Sequence, residues 1–380
     1  SEYYQMLKLP GRLNAEKFLD RHWQKEPLFM PQALQRLRPA ITRNELGWLA
    51  TLEDVESRLV FTDRDGDRVR YRAETGPFDP DYLVDLPKRD WTLLVHDVEK
   101  HLPVMRGLFK YVPFIPDWRI DDLMVSFAAP GGGVGPHRDN YDVFLCQGIG
   151  VRDWHLSSDA VADDPDASDD LALTAPFAGS AHSVREGDVL YVPPGVAHWG
   201  TATRACITYS IGMRAPQLSD LLAGLPDTER LNPFYADPDL VVTESRPGFI
   251  SSESVDRALR LVNQAEQNRD GVAEALGRYV TQTKDWITPD GASTAEATSV
   301  VKLIYQGAEM DLHGMARIAW DERSIYVNGA CLGRGETSSA WLESLCAQRT
   351  LNGPGSLPAE SVKSLIGMLK KGAFDLPEKL

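Results

Sequence analysis

The alternation of apolar and polar positions predicts that the middle of the chain is built from β-strands. Short apolar runs separated by Gly and Pro turns predict strands at 122–129, 143–147, 153–156, 188–192 and 205–213. Short strands at this close spacing favour an all-β sandwich or barrel over a fold in which strands and helices alternate. The residues before this region mix short helical and strand patterns, and we assign them to the same domain, 1–215.

Beyond Pro216 the apolar spacing becomes helical. An i, i+3, i+4, i+7 pattern occurs twice and predicts two amphipathic helices. Its members are Val255, Ala258, Leu259 and Val262, and then Val272, Leu276, Tyr279 and Val280. Two such helices are too small to form a core alone, so the segment 216–287 is expected to pack on a neighbour and to serve as a dimerisation domain.

The last segment, 288–380, has the pattern of a winged-helix-like module. A polar stretch at 288–298 predicts a linker, a hairpin is expected at 314–328, and two further helices are expected at 338–349 and 359–371. From residue 286 onward the chain has nine Lys and Arg against eleven Asp and Glu. A DNA-binding module is basic on at least one face, so this balance favours dimerisation or partner docking.

An acid-rich segment, 157–176, interrupts the predicted strands. Its aspartates are Asp159, Asp163, Asp164, Asp166, Asp169 and Asp170. Such a charge run predicts a solvated loop on the rim of the barrel, and the alternative is an acidic arm that binds a partner.

The composition and charge of the chain exclude several classes of protein. Apolar residues make up 43% and charged residues 25%, which are ordinary values for a globular protein. No apolar run has the length of a membrane span, and the four cysteines form no C-x-x-C pair, which fits a reducing cytoplasm. The net charge of −15 disfavours direct binding to nucleic acid and favours a basic partner, such as a ribosomal protein, a histone or an Arg-rich peptide.

The residues that indicate chemistry lie in and after the glycine-rich stretch 130–136. No Gly-Lys-Ser/Thr follows these glycines, so a phosphate-binding loop is not indicated. His137 and Asp139 are two residues apart and point to the same side of an extended chain. His198 follows the Pro-Pro-Gly turn that ends another predicted strand, and a barrel can bring it beside the first pair.

Two imidazoles and one carboxylate are typical of non-haem iron(II) oxygenases, in which open positions remain for a cosubstrate and O2. Zinc hydrolases use a similar set, but they more often carry it on a helix as H-E-x-x-H, which this chain lacks. A third alternative is that the three residues bind no metal.

Other residues of the predicted strands are candidates for contacts around such a metal. Arg152 has the planar guanidinium that binds a carboxylate through two hydrogen bonds. Asp122 and Ser126 share one face of the strand 122–129, opposite a purely apolar face, which suggests the lining of a pocket. Ser126 is therefore a candidate for cosubstrate contact and Asp122 for contact with a cationic substrate group.

The motifs in 117–144, Pro193-Pro194-Gly195 with His198, and the run 209–216 resemble those of the bacterial ribosomal oxygenases. That family consists of JmjC-type, cupin-like hydroxylases that depend on iron(II) and 2-oxoglutarate. The resemblance implies a double-stranded β-helix (jelly-roll) barrel, followed by a helical dimerisation segment and a winged-helix module, in a homodimer. It extends over most of the chain and is strongest from 117 to 216.

The resemblance also implies roles for individual residues. His137, Asp139 and His198 would bind iron, and Arg152 would hold the distal carboxylate of 2-oxoglutarate with help from Ser126. The implied reaction uses O2 to hydroxylate the β-carbon of an arginine in ribosomal protein L16 of the large subunit. Asp122 would pair with that guanidinium and Tyr141 would pack over its plane.

Two features depart from the family pattern. Arg138 stands inside the metal motif, where an apolar residue is common, and the acid-rich segment 157–176 is long. We expect Arg138 to point away from His137 and Asp139, so that it affects substrate contacts more than the metal.

Three rival functions follow from the same residues. The barrel could hydroxylate histidine or demethylate N-methyl-lysine with the same iron site. A neutral histidine is disfavoured by the carboxylate of Asp122, and a demethylase would release formaldehyde. A rival from another class is a non-catalytic winged-helix regulator that uses a metal-loaded barrel as a sensor.

Overall fold

The structure is a computed structural model, and it describes residues 6–167, 171–222, 234–241, 247–262, 269–284 and 290–377. The chain divides into two compact units. The first contains residues 1–113, 121–213 and 238–242, and the second contains 114–120, 214–237 and 243–380. Within the described ranges, no helix has the length and apolar character needed to cross a membrane.

The first unit is built mainly from antiparallel strands. Its helices are α1 (Ala15–Arg21), α2 (Arg43–Leu49), α3 (Pro80–Val84) and α4 (Val98–His101). Its strands are β1 (Leu28–Met30), β2 (Ser57–Asp65), β3 (Arg68–Thr75), β4 (Trp91–Val95), β5 (Ile120–Ala128), β6 (Val143–Gln147), β7 (Val151–Ser157), β8 (Ser180–Arg185), β9 (Val189–Val192), β10 (Ala197–Arg204) and β11 (Cys206–Met213). The segment Pro103–Tyr111 forms a 3-10 helix, and so does Asp117–Arg119, which belongs to the second unit.

The strands form two sheets that pack against each other. The larger sheet has the order β1-β9-β6-β11-β5-β4-β2-β3, and the smaller has the order β10-β7-β8. Apolar side chains of both sheets form one buried cluster, which includes Leu145 of β6, Leu190 of β9 and Leu156 of β7. The inward side chains of β7 alternate with half-exposed ones, as expected for a strand with one face in a core. This arrangement confirms the predicted β-rich barrel.

The local sequence explains where α2 begins. Thr42 caps α2, accepting a hydrogen bond from the backbone N–H of Glu45, while the Glu45 side chain accepts from the backbone N–H of Thr42. This reciprocal pair satisfies two donors that a helix start would otherwise leave free. It fixes the start of α2, which lies between β1 and β2 in the chain.

The second unit combines helices with two small sheets. Its helices are α5 (Leu218–Leu221), α6 (Ser252–Val262), α7 (Arg269–Thr281), α8 (Thr294–Tyr305), α9 (Ser339–Gln348) and α10 (Val362–Lys370). Its strands are β12 (Glu309–Asp311), β13 (Ile318–Trp320), β14 (Ser324–Val327), β15 (Ala330–Gly333) and β16 (Thr350–Asn352). The hairpin predicted at 314–328 is present as β13 and β14, and β15 adds a third strand.

Two expectations about connecting segments are wrong in part. The linker predicted at 288–298 covers residues 288–289, which lie outside the described residues, but α8 begins at Thr294. Ser293 and Glu296 form a capping box there, a helix-start signal that the polar composition of the stretch obscures. The acid-rich segment is not simply a solvated loop either, because Leu171 and Leu173 are buried in a cluster with Val60.

The second unit offers a test of its packing at Gly277 of α7. A Cβ at this position would lie 2.4 Å from atoms of the Tyr326 ring, which is buried and donates a hydrogen bond to Asp321. Because the ring is held in place, we expect Gly277→Ala to destabilise the unit by about 1–3 kcal/mol. Thermal unfolding should show a lower midpoint.

The matched control is Gly333→Ala in β15, where a Cβ would meet nothing within 4 Å. The free energy of unfolding of this variant should equal that of the wild type to within about 0.5 kcal/mol, so its unfolding midpoint should not change measurably. Equal midpoints for both variants would contradict the packing described for α7 and β14.

Candidate metal centre

Main-chain hydrogen bonds hold His137 and His198 side by side. The N–H of His137 donates to the carbonyl of His198 at 2.9 Å, and the N–H of His198 donates to the carbonyl of His137 at 2.7 Å. The glycine-rich stretch before His137 makes this approach possible, because a Cβ at Gly133 would lie 2.5 Å from the carbonyl oxygen of Gly200. The two imidazole rings lie with their centroids 4.3 Å apart.

The hydrogen bonds of the imidazoles turn one nitrogen of each ring toward a common point. Nδ1 of His137 lies 2.9 Å from the carbonyl oxygen of Gly135, and Nδ1 of His198 lies 3.0 Å from that of Val196. A carbonyl oxygen only accepts, so each Nδ1 is the donor, and in the neutral tautomer that this selects Nε2 keeps its lone pair. Oδ2 of Asp139 lies 4.0 Å from Nε2 of His137 and 3.5 Å from Nε2 of His198.

These three side chains therefore form a group that could hold a metal ion. One ligand atom from each residue lies within 4.8 Å of the others. Burial lowers the pKa of His198 to about 4, and the neighbouring His137 acts in the same direction. The imidazole of His198 is consequently neutral at physiological pH, which is the form that binds metals.

The backbone of the loop that carries Asp139 is anchored to the turn between β9 and β10 and to β11 of the larger sheet. The carbonyl of Asp139 accepts from the N–H of Gly195, and the carbonyl of Asp142 accepts from that of Met213. The buried Asp142 carboxylate accepts from the hydroxyl of Tyr191 at 2.5 Å and from the amide of Gln24 at 2.9 Å. The carboxylate of Asp139 is thus fixed from both ends of a short loop.

Arg152 lies inside the barrel on the same face of β7 as Trp154 and Leu156. Leu156 is the cross-strand partner of His198, so Arg152 lies four residues, or about 13 Å, along the strand from that partner. Arg152 is 4% exposed, and its Nε and Nη2 are buried with no hydrogen-bond partner among the described residues. The guanidinium lies 5.5 Å from the centroid of the Trp154 ring.

Sequence reasoning missed Thr92, another buried donor at this end of the barrel. Thr92 of β4 pairs with Ala128 of β5, and Ala128 packs against Ala202, the cross-strand partner of Arg152. Its hydroxyl, like Nε1 of Trp154, is buried with no hydrogen-bond partner in the described ranges. The sequence gives no motif for Thr92, because it stands alone in a short apolar strand.

The barrel interior holds the other three candidate residues at different positions along β5. Ser126 lies toward Arg152, and Asp122 and Tyr141 lie toward Gly212. Asp122 and Ser126 share one face of β5, and Ser126 lies closer to Ala128 and hence to Arg152. At the opposite end, a Cβ on Gly212 would lie 3.4 Å from Oδ1 of Asp122 and 4.0 Å from Cε2 of Tyr141. Asp122 and Tyr141 therefore meet at the end of the strand that is remote from Arg152.

Tyr141 links this end of the interior to the candidate metal ligands. Burial raises the pKa of its phenol, and so do the nearby carboxylates of Asp139 and Asp122. The hydroxyl also forms a hydrogen bond with Asp139. Tyr141 thus stays protonated and donates to a carboxylate of the metal group, although 41% of the residue is exposed.

The acid-rich segment lies against the strand that carries His137. Leu173 forms an antiparallel β-bridge with His137, and the N–H of Thr174 donates to the carbonyl of Pro136 at 2.8 Å. The guanidinium of Arg138 forms a salt bridge with the carboxylate of Asp163. The aspartates at 169 and 170 lie outside the described residues. Arg138 therefore points toward the insertion, and its charge is matched there.

Comparisons with known proteins agree with this geometry. Residues 107–221 match the family model of the JmjC domain, and residues 263–369 match that of the ROXA-like winged helix. The chain is 33% identical over 329 residues to the ribosomal protein uL16 3-hydroxylase of Escherichia coli, covering 83% of this chain and 85% of the relative. It is 35% identical over 298 residues to a probable ribosomal oxygenase of Haemophilus influenzae, covering 77% of this chain and 70% of the relative.

Solved structures extend the likeness to nearly the whole chain. The X-ray structure of E. coli YcfD covers 98% of this chain and 100% of its own, with 29% identity and a TM-score of 0.72. The structure of YcfD, a ribosomal oxygenase from E. coli, in complex with cobalt and 2-oxoglutarate covers 97% of this chain and 99% of its own, with 29% identity and a TM-score of 0.71. With a JmjC barrel, a winged helix and this degree of identity, the chain belongs to the JmjC ribosomal oxygenases.

Proposed function

We propose that this protein is an iron(II)- and 2-oxoglutarate-dependent hydroxylase that oxidises the β-carbon of an arginine in ribosomal protein uL16. A relative of 33% identity is a uL16 3-hydroxylase, and a solved relative holds cobalt and 2-oxoglutarate. The observation that carries the proposal is the buried guanidinium of Arg152. It faces the same interior as the His137, Asp139 and His198 group, and two of its nitrogens have no hydrogen-bond partner among the residues that the structure describes.

The residues present fit an iron ion. Nε2 of His137 and Nε2 of His198 both lie within 4.0 Å of Oδ2 of Asp139, and three protein ligands leave positions open for other molecules. Iron(II) bound there would couple the oxidation of 2-oxoglutarate by O2, to succinate and CO2, to the insertion of one oxygen atom into a C–H bond. The absence of an H-E-x-x-H helix makes a zinc hydrolase the weaker alternative.

The residues at the other end of the interior fit the distal carboxylate of 2-oxoglutarate. An isolated buried cation costs several kcal/mol, so the guanidinium of Arg152 requires an anion beside it. Thr92 supplies a further buried hydroxyl that has no hydrogen-bond partner in the described part of the chain, and Ser126 lies on the strand that joins the two ends. Arg152 and Thr92 would together orient the cosubstrate and exclude water from its carboxylate.

The acidic end of the interior fits a cationic substrate group. Asp122 lies beside Gly212 and Tyr141, and the absence of a side chain at Gly212 leaves its Oδ1 accessible from that direction. Asp122 would accept hydrogen bonds from the guanidinium, and the ring of Tyr141 would pack over its plane. Held in this way, the arginine presents one carbon for reaction, so the selectivity is a matter of position.

The proposal extends to the setting of the reaction. A ribosomal protein substrate places the enzyme in the cytoplasm, and the net charge of −15 favours a basic partner over direct contact with nucleic acid. We retain the homodimer, with the segment 216–287 as its dimerisation domain, and the domain boundaries 1–215 and 288–380 as parts of the same proposal.

The first experiment tests the reaction itself. Incubation with iron(II), 2-oxoglutarate, O2 and an arginine-containing uL16 peptide should add one oxygen atom to the peptide, because the guanidinium and the metal group can be engaged together. Mass spectrometry with fragmentation locates the oxidised residue. Unchanged peptide mass, oxidation of a histidine, or release of formaldehyde from an N-methyl-lysine peptide would each favour a rival function.

The second experiment tests the metal group. We expect His137→Ala and Asp139→Ala to weaken the binding of Co(II) by more than about 100-fold, because each removes a ligand and not merely a residue that supports one. Titration followed by the visible absorption of Co(II) measures the affinity. His313→Ala, which removes a half-exposed histidine of the second unit, is the control and should bind Co(II) as the wild type does. If all variants bind Co(II) with the wild-type affinity, these residues are not the metal ligands and the iron site of the proposal is wrong.

The third experiment tests Arg152. Arg152→Met should raise the KM for 2-oxoglutarate by about 100-fold or more, since it removes charged hydrogen bonds in a buried site. Arg152→Lys should retain part of the affinity, because lysine keeps the charge but loses the planar pair of donors. The control is Arg185→Met, an exposed arginine one strand away on β8. A KM unchanged in Arg152→Met would place the cosubstrate elsewhere.

A further inference from the structure

A buried ionic cluster lies against the start of β5, at the level of Asp122. It contains Lys100, whose side chain is 9% exposed, and the almost completely buried side chains of Asp97 and Glu99. Nζ of Lys100 pairs with Asp97 and lies 3.3 Å from Oε1 of Glu99. Neither the metal group nor the cosubstrate end uses these residues.

The cluster holds three consecutive residues of β5. Nζ of Lys100 donates to the carbonyl of Asp121 at 3.1 Å, and Oε2 of Glu99 accepts from the N–H of Leu123 at 2.8 Å. Between them, Oδ2 of Asp122 accepts from the N–H of Asp97 at 3.1 Å. The backbone on both sides of Asp122 and one of its own oxygens are therefore held by a single short segment.

The backbone of Asp97 shows that this contact is imposed by the surroundings. Asp97 has a φ of 55°, in the left-handed region that residues other than glycine enter at an energetic cost. This conformation directs its N–H toward Asp122. Nδ1 of His96 lies 3.4 Å from the same Oδ2, so one oxygen of Asp122 is occupied while Oδ1 faces Gly212.

The charges of the cluster favour a cation at Asp122. Asp97, Glu99 and Asp122 bring three carboxyl groups to a small volume, and Lys100 contacts the first two of them. Burial raises the pKa of Glu99, and Lys100 opposes this rise. Lys100 therefore keeps the cluster together without neutralising Asp122, because its Nζ binds the other carboxylates and the main chain.

We propose that Lys100 is a positioning residue which, through Asp97 and Glu99, fixes the carboxylate of Asp122 for a cationic substrate side chain. This inference rests on the proposed function, in which Asp122 receives the substrate guanidinium. Lys100 does not touch the substrate. It acts by setting the direction of one carboxylate oxygen.

The test compares the affinity of arginine and citrulline peptides for protein loaded with Mn(II) and 2-oxoglutarate, measured by calorimetry without O2. Citrulline has the shape of arginine but no charge, so the wild type should prefer arginine by at least about 10-fold. Lys100→Met should lose most of this preference while its affinity for 2-oxoglutarate stays at the wild-type value. Lys100→Arg, which retains the charge, should keep a larger part of the preference.

A double-mutant cycle separates positioning from general damage. If Lys100 acts through Asp122, the double variant Lys100→Met/Asp122→Asn should prefer the arginine peptide over the citrulline peptide as much as Asp122→Asn alone does. Lys88→Met, which alters an exposed lysine, is the control. Where Lys100→Met does not fold, Lys100→Met/Glu99→Gln, which removes one buried carboxylate together with the cation, takes its place in the cycle.

The outcomes distinguish this inference from the proposed function. Full arginine preference in Lys100→Met, additive losses in the cycle, or an equal loss of 2-oxoglutarate affinity would overturn the positioning role while leaving hydroxylation intact. A wild type without arginine preference would overturn both the role of Asp122 and that of Lys100. Failure of the wild type to oxidise uL16 peptides would count against the proposed function alone.

Discussion

The architecture of the site depends on the two main-chain hydrogen bonds that His137 and His198 exchange. They join a glycine-rich loop to the first residues of β10, so the distance between the two imidazoles is set by backbone geometry. The side chains need only choose a rotamer, and the carbonyls of Gly135 and Val196 select the tautomer. Asp139 is then positioned by a loop whose own carbonyl binds the N–H of Gly195.

The barrel interior separates charge along its length. A guanidinium lies at one end, where Arg152 is surrounded by Trp154 and small apolar side chains, and carboxylates lie at the other, around Asp122. A dianionic cosubstrate and a cationic substrate group would therefore each approach the end of opposite sign. The separation would also keep two such ligands from competing for one position.

The sequence permits prediction of those features that follow from local spacing. His137 and Asp139 share a side because they are two residues apart in an extended chain, and His198 follows a recognisable turn. The strand β8 is harder to predict, because its sequence SAHSVR is polar and it forms an edge of the smaller sheet. Thr92 becomes notable only through its burial in the sheet, and Lys100 through its contact with Asp121 of β5, and neither leaves a local pattern in the sequence.

The acid-rich segment has two parts with different constraints. Leu171 and Leu173 are buried beside Val60, and the backbone of Leu173 and Thr174 lies along Pro136 and His137. The part around Asp159, Asp163 and Asp166 is largely exposed. Substitutions in the exposed part can therefore retune the electrostatic attraction of passing substrates, whereas changes at the buried leucines would disturb the loop from which the first histidine projects.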